Sequence, residues 1–276
     1  MRNTKDERMK KSILITGAYG GMGKAAVKSF KEKGFNVFAL DKSVCDAEDG
    51  VIPIQADITD EKSVYEAYKK VCETTKSLFA IIHFAGIYML DSLVEMQNTE
   101  FERIFRINLG GAFLVNKIFF PLLKNGSRIV MTTSELAPLD PLPFTGIYAV
   151  TKSALDKSAY SLRMELQLKG IKVSVLRAGA VTTNMLGAST DALDRFCQST
   201  AIYKCNAERF KRIVDKVEAR SIDPSRIAKK LTRILRKRSP RFAYSINRNP
   251  LLLLLDLLPK RLQLFAIRRV LKTKND

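Results

Sequence analysis

The sequence has few residues that commonly bind metals or form disulfides: one histidine and four cysteines among 276 residues. No two cysteines form a C-x-x-C pair, and their spacings match no metal site. We therefore predict no bound metal and a reduced, cytoplasmic setting. The single histidine, His83, invites a catalytic role, but we expect a structural, hydrogen-bonded histidine there.

Long apolar runs are also missing. Residues 1–11 are polar and charged, so we expect no secretory signal. The leucine-rich run 251–258 is far shorter than the about 20 residues that a membrane-spanning helix needs. The chain has no internal repeat, low-complexity stretch or interior linker. Since 46% of the residues are apolar, the chain can bury one sizeable core, and we expect a single domain.

Acidic residues are scarce relative to basic ones: 28 against 47, for a formal net charge of +19. Between Lys204 and Asp276 there are 21 Lys and Arg against 6 Asp and Glu, so this region carries +15 of the excess. Such a region can be a solvated face, or it can bind an anionic membrane surface or nucleic acid. We predict no nucleic-acid partner and keep the other two interpretations open.

Short apolar runs alternate with helical stretches over the first two thirds of the chain. The predicted strands are residues 12–15, 36–40, 79–82, 128–131 and 172–176, and the predicted helices lie near 22–33, 61–74, 99–124 and 148–169. This alternation predicts an α/β protein with a single doubly wound parallel sheet, a Rossmann fold with helices on both faces. We assign residues 1–248 to this domain, with a substrate lid at about 184–220, and 249–276 to a leucine-rich, basic C-terminal helical extension of it.

A glycine-rich turn, T-G-A-Y-G-G-M-G at residues 16–23, joins the first predicted strand to the first helix. Glycine permits positive φ angles, and without a Cβ atom it lets the backbone approach a pyrophosphate closely. The following helix offers unpaired N–H groups to that anion. Because the turn stands between a strand and a helix, we predict a dinucleotide site. The cofactor contacts predicted in the turn are Gly17, Tyr19, Gly21, Met22 and Gly23.

Asp41 ends the second predicted strand, where a ribose-binding acid is expected about twenty residues after the glycine turn. Its carboxylate would accept hydrogen bonds from both ribose hydroxyls of NAD and would repel the 2′-phosphate of NADP. The turn from Gly17 to Gly23 contains no Lys or Arg. These features favour NAD over NADP, with Lys24 and Lys42 as the residues that could instead neutralise a phosphate.

Tyr148 and Lys152 are four residues apart on a predicted helix and therefore share one face of it. A free tyrosine has a pKa of about 10 and is a poor base near neutral pH. A neighbouring ammonium favours the phenolate, so we expect Lys152 to lower the pKa of Tyr148. Tyr148 would then take a proton from an alcohol, or donate one to a carbonyl oxygen.

In order and spacing, these motifs resemble the short-chain dehydrogenase/reductase family over about residues 10–185. The resemblance implies that Lys152 also holds the nicotinamide ribose, that Ser134 hydrogen-bonds the reacting oxygen, and that Asn108 supports a water-linked proton relay. Further cofactor contacts that it implies are Asp57, Ile58, Ala85, Gly86, Val181 and Thr183. It also implies a homodimer or homotetramer, packed through the helices that bear Asn108 and Tyr148.

The chain departs from the family pattern at three points. His83-Phe84-Ala85-Gly86 replaces the usual Asn-Asn-Ala-Gly, whose first asparagine commonly stabilises the central sheet. Ala178-Gly179 replaces Pro-Gly after the sixth family strand. Ser134 and Tyr148 are 14 positions apart, commonly one fewer in the family, and the intervening proline-rich loop can absorb the extra residue.

The predicted substrate contacts are Ser134, Tyr148, Tyr88, Phe144 and Met185. Apolar walls with one polar end suit a hydrophobic alcohol such as a sterol or bile acid, a retinoid or an acyl chain. The same apolar residues can instead simply pack the core. Two other functions stay open: reduction of a carrier-bound 3-oxoacyl group, and a non-catalytic dinucleotide-binding protein.

The run 251–258 is flanked by basic residues on both sides. This pattern is typical of a segment that lies on an anionic membrane surface. It is equally compatible with a cover over the active-site mouth or with burial against a partner subunit.

Overall fold

The computed structural model describes residues 10–218 and 220–272, with side chains for all of these except 184–191, 217 and 218. Its strands are β1 (Ser12–Thr16), β2 (Asn36–Asp41), β3 (Val51–Gln55), β4 (Leu78–His83), β5 (Leu123–Ser134), β6 (Lys172–Ala178) and β7 (Ala243–Ile246). They form one sheet in the order β3-β2-β1-β4-β5-β6-β7, and every pairing is parallel. The predicted Rossmann sheet is thereby confirmed.

Ten α-helices are described: α1 (Gly21–Lys31), α2 (Glu61–Thr74), α3 (Asn98–Phe105), α4 (Gly111–Phe119), α5 (Gly146–Leu166), α6 (Asn184–Ser199), α7 (Lys204–Glu218), α8 (Pro224–Arg236), α9 (Pro250–Asp256) and α10 (Lys260–Leu271). A π-helical turn, Arg106–Gly110, joins α3 to α4. Most of the predicted lid segment is helical, in α6 and α7. Helices α9 and α10 follow each other within residues 249–272, and we call this segment the C-terminal hairpin.

The sheet is buried on both faces. Successive residues of a strand point to opposite sides, so Leu14 packs with α2, α4 and α5, whereas Ile13 and Ile15 pack with α1 and α8. All three side chains are fully buried. This two-sided burial is why the strands read as continuous apolar runs in the sequence.

Two strands were missing from the sequence-based prediction, and one predicted helix is interrupted. β3 contains Pro53 and lies at the edge of the sheet, where a residue without a backbone N–H is tolerated. β7 has only four residues, mostly half-buried, at the opposite edge. The helix predicted near 99–124 is divided by the π-helical turn and ends at Phe119.

From β1 the chain adds β2 and β3 on one side, and from β4 it adds β5, β6 and β7 on the other. The strand order therefore reverses between β1 and β4. Open α/β sheets bind ligands at the carboxyl ends of their strands beside such a point. The glycine turn follows β1 and Ala85-Gly86 follows β4, so both segments meet there.

Candidate active site

The glycine turn is held against the segment after β4 at distances that only glycine allows. Gly17 has φ +67°, and a Cβ atom there would lie 2.5 Å from the backbone nitrogen of Ala85. A Cβ atom at Gly23 would lie 2.0 Å from the carbonyl oxygen of Gly17. The N-cap residue of α1 is Gly20, which has no side chain to cap the helix. No side chain therefore covers the first backbone N–H groups of α1, and this is the arrangement that binds a phosphate.

Asp41 lies beside the glycine turn at the end of β2. One carboxylate oxygen accepts the backbone N–H of Tyr19 at 2.9 Å, and the other accepts the N–H of Lys42 at 2.8 Å. These bonds hold the carboxylate at the edge of the cavity described below. Each oxygen keeps a second lone pair for a further donor, such as a ribose hydroxyl.

Asp57 forms an ion pair with Lys42, whose Nζ lies 2.9 Å from the carboxylate. Burial by itself would raise the pKa of Asp57, but hydrogen bonds from Thr59 and Lys42 outweigh it, so the pKa lies below its ordinary value. Asp57 is therefore a carboxylate at neutral pH. The next residue, Ile58, packs so closely that a Cβ atom at Gly111 would lie 2.3 Å from its Cδ1.

A cavity of about 780 Å³ runs along the carboxyl edge of the sheet, within the usual range for ligand pockets. Its lining brings together twelve residues that the sequence predicted, namely Gly17, Tyr19, Gly21, Met22, Gly23, Asp41, Asp57, Ile58, Ala85, Gly86, Tyr88 and Thr183. The glycine cradle and the facing carboxylates fit a dinucleotide, with the pyrophosphate at the start of α1 and an adenosine ribose at Asp41.

Neither Ser134 nor Tyr148 is among the residues that line this cavity; the ring of Tyr88, which does line it, lies 4.6 Å from the Tyr148 ring. Ser134 ends β5, and its hydroxyl oxygen accepts the N–H of Leu136 at 3.2 Å. Tyr148 lies in the first turn of α5 and is buried. Burial raises the pKa of Tyr148 to about 12, while a hydrogen bond with the Ser134 hydroxyl acts in the opposite direction. The Ser134 hydroxyl is therefore adjacent to the Tyr148 phenol, the group expected to transfer the proton.

The expected lowering of the Tyr148 pKa by Lys152 is not found, and this expectation was wrong. The ammonium lies 5.7 Å from the centre of the phenol ring, but burial affects both groups more strongly than this proximity does. Burial also lowers the pKa of Lys152 to about 8. Each group is therefore shifted toward its neutral form, as desolvation requires.

Lys152 points toward the cavity floor. Its Nζ donates a hydrogen bond to the carbonyl oxygen of Thr132 at 3.4 Å. A Cβ atom at Gly86 would lie 3.3 Å from that Nζ and 3.1 Å from Oδ1 of Asn108. Gly86 lines the cavity, so Gly86 lies between the part of the cavity that fits a dinucleotide and the Lys152 side chain.

Asn108 lies in the π-helical turn between α3 and α4 and is buried. Its Oδ1 accepts the N–H of Ile87 at 2.8 Å, and its Nδ2 donates to the Ile87 carbonyl at 2.9 Å and to Thr151 Oγ1 at 3.1 Å. The wider turn shifts the helix register at this residue, a feature often found at functional sites. Asn108 therefore connects α5 to the segment after β4 and is fixed in orientation.

Ser134, Tyr148, Lys152 and Asn108 thus form one cluster, which suits proton transfer to or from a substrate oxygen. A bound nicotinamide cofactor would supply or accept the hydride. With a pKa of about 12, Tyr148 carries its proton at neutral pH, the form that donates to a carbonyl oxygen. Lys152, with a pKa of about 8, can gain or lose a proton near neutral pH and is the next titratable group inward.

The remaining predicted contacts lie at different depths. Thr183 lines the cavity and touches the glycine turn, since a Cβ atom at Gly21 would lie 2.6 Å from its Cβ. Val181 is buried in the sheet core and forms a single bridge with Ile222. The side chain of Met185 lies outside the described part of the structure, although its backbone belongs to α6.

Two predicted substrate residues, Tyr88 and Phe144, belong to packed aromatic groups. The Tyr88 ring lies 4.6 Å from the Tyr148 ring, edge to face, and therefore covers the phenol on the cavity side. Phe144 has φ +65° and contacts Phe196, 4.8 Å away between ring centres. Phe196 lines the cavity, so Phe144 lies one layer behind it.

His83 is buried between three elements. Its Nε2 lies 3.0 Å from Asn116 Oδ1 on α4, and its Nδ1 lies 3.5 Å from Thr16 Oγ1 on β1. Burial lowers its pKa to about 4, so the ring is neutral at physiological pH. The expected structural, hydrogen-bonded histidine is confirmed.

Met89 and Phe196, which the sequence also placed at the substrate walls, line the cavity. Sequence reasoning missed two of their neighbours, Leu90 after β4 and Arg195 on α6. Its position directly after Met89 could have indicated Leu90, but nothing in the local sequence marks Arg195. Within the described residues, no group of His, Cys, Asp or Glu could hold a metal ion, and no helix is long and apolar enough to cross a membrane.

A family model and a curated relative both match most of this chain. The family model described as short chain dehydrogenase matches residues 11–194. Estradiol 17-beta-dehydrogenase 2 of Mus musculus is 32% identical over 199 residues, which cover 67% of this chain and 51% of that protein. This chain therefore spans about half the length of that relative.

Solved structures share the fold at low sequence identity. The 3-ketoacyl-(acyl-carrier-protein) reductase from Brucella melitensis, complexed with NADH, has a TM-score of 0.70 and 20% identity over 86% of this chain and 96% of its own. ElxO with NADP bound has a TM-score of 0.68 and 22% identity over 86% of this chain and 97% of its own. At this identity, the likeness concerns the fold alone.

Proposed function

This chain belongs to the short-chain dehydrogenase family, and on that premise we propose that it is an NAD-dependent oxidoreductase. It interconverts a secondary alcohol and a ketone on a hydrophobic substrate, such as a hydroxysteroid or retinoid. The observation that carries the proposal is the cluster of Ser134, Tyr148, Lys152 and Asn108 beside the cavity. Tyr148 is the general acid and base of the reaction, Lys152 passes the proton onward, and Asn108 supports the water-linked relay to Lys152.

The preference for NAD is supported by the charges around the adenosine end of the cavity. Asp41 is fixed at the cavity edge by Tyr19 and Lys42 N–H groups, where it would repel a 2′-phosphate. Lys42, one of the two lysines that could neutralise that phosphate, is already paired with Asp57 at 2.9 Å. The glycine turn adds no cation of its own.

A hydrophobic substrate is supported by the cavity wall beyond the cofactor space. Tyr88, Met89 and Leu90 follow β4, and Phe196 faces them from α6. The relative in mouse is named for a steroid, estradiol. Lipid or steroid metabolism is the setting that this substrate class implies.

A second candidate, reduction of a carrier-bound 3-oxoacyl group, is favoured by Arg195 at the cavity mouth and by the basic last quarter of the chain. Both would suit an acidic carrier. One of the solved structures with this fold is such a reductase. A non-catalytic dinucleotide-binding protein is disfavoured, because all four residues that proton transfer requires are retained.

Steady-state rates with a panel of hydroxysteroids, retinoids, short secondary alcohols and 3-oxoacyl thioesters, each with NAD(H) and NADP(H), test the proposal. We expect the highest kcat/KM for a hydroxysteroid or retinoid with NAD(H). Faster reduction of the thioesters would establish the second candidate. Cofactor binding without turnover on any substrate would establish a non-catalytic protein.

We also propose a homodimer or homotetramer packed through α4 and α5. Phe113 on α4 and Tyr160 and Met164 on α5 expose large apolar surfaces. A reduced, cytoplasmic setting is supported by the free thiols of all four cysteines. Analytical ultracentrifugation of the protein and of Met164→Lys tests the assembly, because a charge in that interface would shift the protein toward monomer.

A further inference from the structure

The C-terminal hairpin has an inner face that is bound to the rest of the protein. Asp256 accepts the backbone N–H of Asp140 at 2.9 Å, and Lys260 forms an ion pair with the Asp140 carboxylate. Leu252 and Ile267 line a small groove with the loop that follows β5. These contacts attach α9 and α10 firmly, so the opposite side of the hairpin faces away from the protein.

The outer face of the hairpin consists of large apolar side chains in solvent. We define it by Leu251, Leu254, Leu257, Leu262, Leu264 and Phe265, all of which are exposed. Leu257 is 80% exposed and Phe265 67% exposed. Large apolar side chains exposed together on one short segment commonly mark a surface that binds a partner or a membrane.

The hairpin itself carries many more cations than acids. Arg261, Arg268, Arg269 and Lys272 are exposed on or beside α10. Asp256 is the one acidic residue within residues 249–272, and it is turned inward toward Asp140. The hairpin therefore combines exposed apolar side chains with an excess of positive charge.

We propose that the outer face binds the anionic surface of a phospholipid bilayer. The leucines and Phe265 would enter the boundary between headgroups and acyl chains, and the arginines would contact lipid phosphates and carboxylates, as in interfacial amphipathic helices. A second copy of the chain fits less well. A two-fold contact would place the same cationic face against itself, with no acidic residue to pair with the arginines.

The hairpin is also close to the cavity. Ile267 and Leu271 on its inner side belong to the same apolar cluster as Tyr88 and Leu90, which line the cavity. A bilayer bound at the outer face would therefore be separated from the substrate wall by α10 and the apolar cluster beneath it. Delivery of an apolar substrate from that bilayer rests on the proposed function, whereas the membrane contact does not.

The experiment measures co-sedimentation of the full chain with vesicles, without cofactor or substrate. Vesicles of phosphatidylcholine containing about 30% phosphatidylserine are compared with pure phosphatidylcholine, at low and high salt. We expect binding to the anionic vesicles that weakens as salt rises, and little binding to neutral ones. Because no turnover is involved, the result is independent of the proposed reaction.

Two variants with matched controls locate the contact. The triple change Arg261→Gln, Arg268→Gln and Arg269→Gln should weaken anionic-vesicle binding by about 100-fold, since each nearby cation contributes about a fivefold factor. Its control, with equal loss of charge, is Lys62→Gln, Lys70→Gln and Lys157→Gln, three exposed lysines outside the hairpin.

The second variant, Leu257→Ser with Phe265→Ser, should also weaken binding, whereas Leu168→Ser with Tyr65→Ser, exposed outside both the hairpin and the proposed subunit interface, should not. Circular dichroism melts verify that every variant folds. The proposal is overturned if the protein ignores anionic vesicles, or if controls and hairpin variants bind equally. It is also overturned if the hairpin variants abolish self-association instead, because a second copy would then occupy the face.

Discussion

The carboxylate of Glu135 accepts the backbone N–H of Asn249 at 2.6 Å. Glu135 is buried and follows Ser134, whereas Asn249 is the N-cap residue of α9. A Cβ atom at Gly179 would lie 3.0 Å from Glu135 Oε1 and 1.9 Å from the carbonyl oxygen of Asn247, so only glycine fits beside this bond. The end of β5 at Ser134 is thus attached directly to the start of the C-terminal hairpin.

The first prediction concerns this attachment. Glu135→Ala should lower the free energy of unfolding by about 1–3 kcal/mol, because it leaves the half-buried Asn249 N–H without its acceptor. It should also speed proteolysis near residue 249. Burial raises the pKa of Glu135, which reduces the cost of an uncharged replacement. Glu135→Gln keeps an acceptor oxygen for the Asn249 N–H and should be tolerated much better. Urea unfolding and limited proteolysis measure both effects; equal behaviour of the Ala and Gln variants would refute the attachment.

The second prediction concerns the proton donor. Tyr148→Phe should lower kcat by about 10²–10⁴-fold and leave cofactor affinity nearly unchanged, since only the phenol oxygen is removed. Tyr160→Phe, on the exposed side of the same helix, is the matched control and should keep its activity. Turnover is measured by cofactor absorbance and affinity by cofactor fluorescence. A Tyr148→Phe enzyme with more than about a tenth of the original turnover would contradict the assignment.

The third prediction is that Lys152, which we propose acts in catalysis, destabilises the fold. Lys152 has a folded pKa of about 8, below its ordinary value of 10.5. Its contribution to stability is therefore fully present above pH 10.5 and is lost as the pH falls through 8. Lys152→Met should raise the free energy of unfolding at pH 7 by about 3 kcal/mol, with the gain fading between pH 8 and 10.5.

Urea unfolding at pH 7 and pH 10 measures this change. Lys157→Met, an exposed lysine on the same helix, should have little effect at either pH. Catalysis should be lost in the Lys152 variant even as stability rises. A Lys152→Met protein that is less stable than the parent at pH 7 would show that the lysine's contacts outweigh its desolvation.

The fourth prediction concerns cofactor choice. Asp41→Asn should lower the ratio of kcat/KM for NAD to that for NADP by about 10–100-fold, because it removes a charged hydrogen-bond acceptor for the ribose and a repeller of the 2′-phosphate. Asp46→Asn, exposed in the loop after β2, is the control. Parallel steady-state assays with both cofactors provide the ratio. A parent enzyme that prefers NADP would show that Asp41 does not select the cofactor.

The fifth prediction uses the fact that the chain has one histidine. His83 has a folded pKa of about 4, below its ordinary value of 6.5. Its contribution to stability is present above pH 6.5 and is lost as the pH falls through 4, an effect of about 3 kcal/mol. The imidazole NMR signal of the folded protein should show no titration between pH 7 and 5.5. Titration near pH 6.5 would mean that the ring is accessible to water.

Much of the site is determined by local sequence. The glycine turn between a strand and a helix, the acid at the end of β2, and the four-residue spacing of Tyr148 and Lys152 are all readable without a structure. Each depends on the period of a helix or strand, or on a glycine's freedom of φ, and these are properties of a short segment. The parallel sheet follows from the same kind of pattern, because strands buried on both faces are continuously apolar.

Other features were decided only by the packed chain. The sequence determined that Lys152 neighbours Tyr148, but burial by residues from β4, β5 and α3 moved both pKa values toward the neutral forms. It determined a helix around Asn108, yet the π-helical turn depends on contacts with Ile87 and Thr151. Glu135 bonds to Asn249, and Lys42 pairs with Asp57. No sequence pattern indicates that the residues of either pair meet. Desolvation and long-range contacts depend on which distant segments meet, and only the tertiary structure brings those segments together.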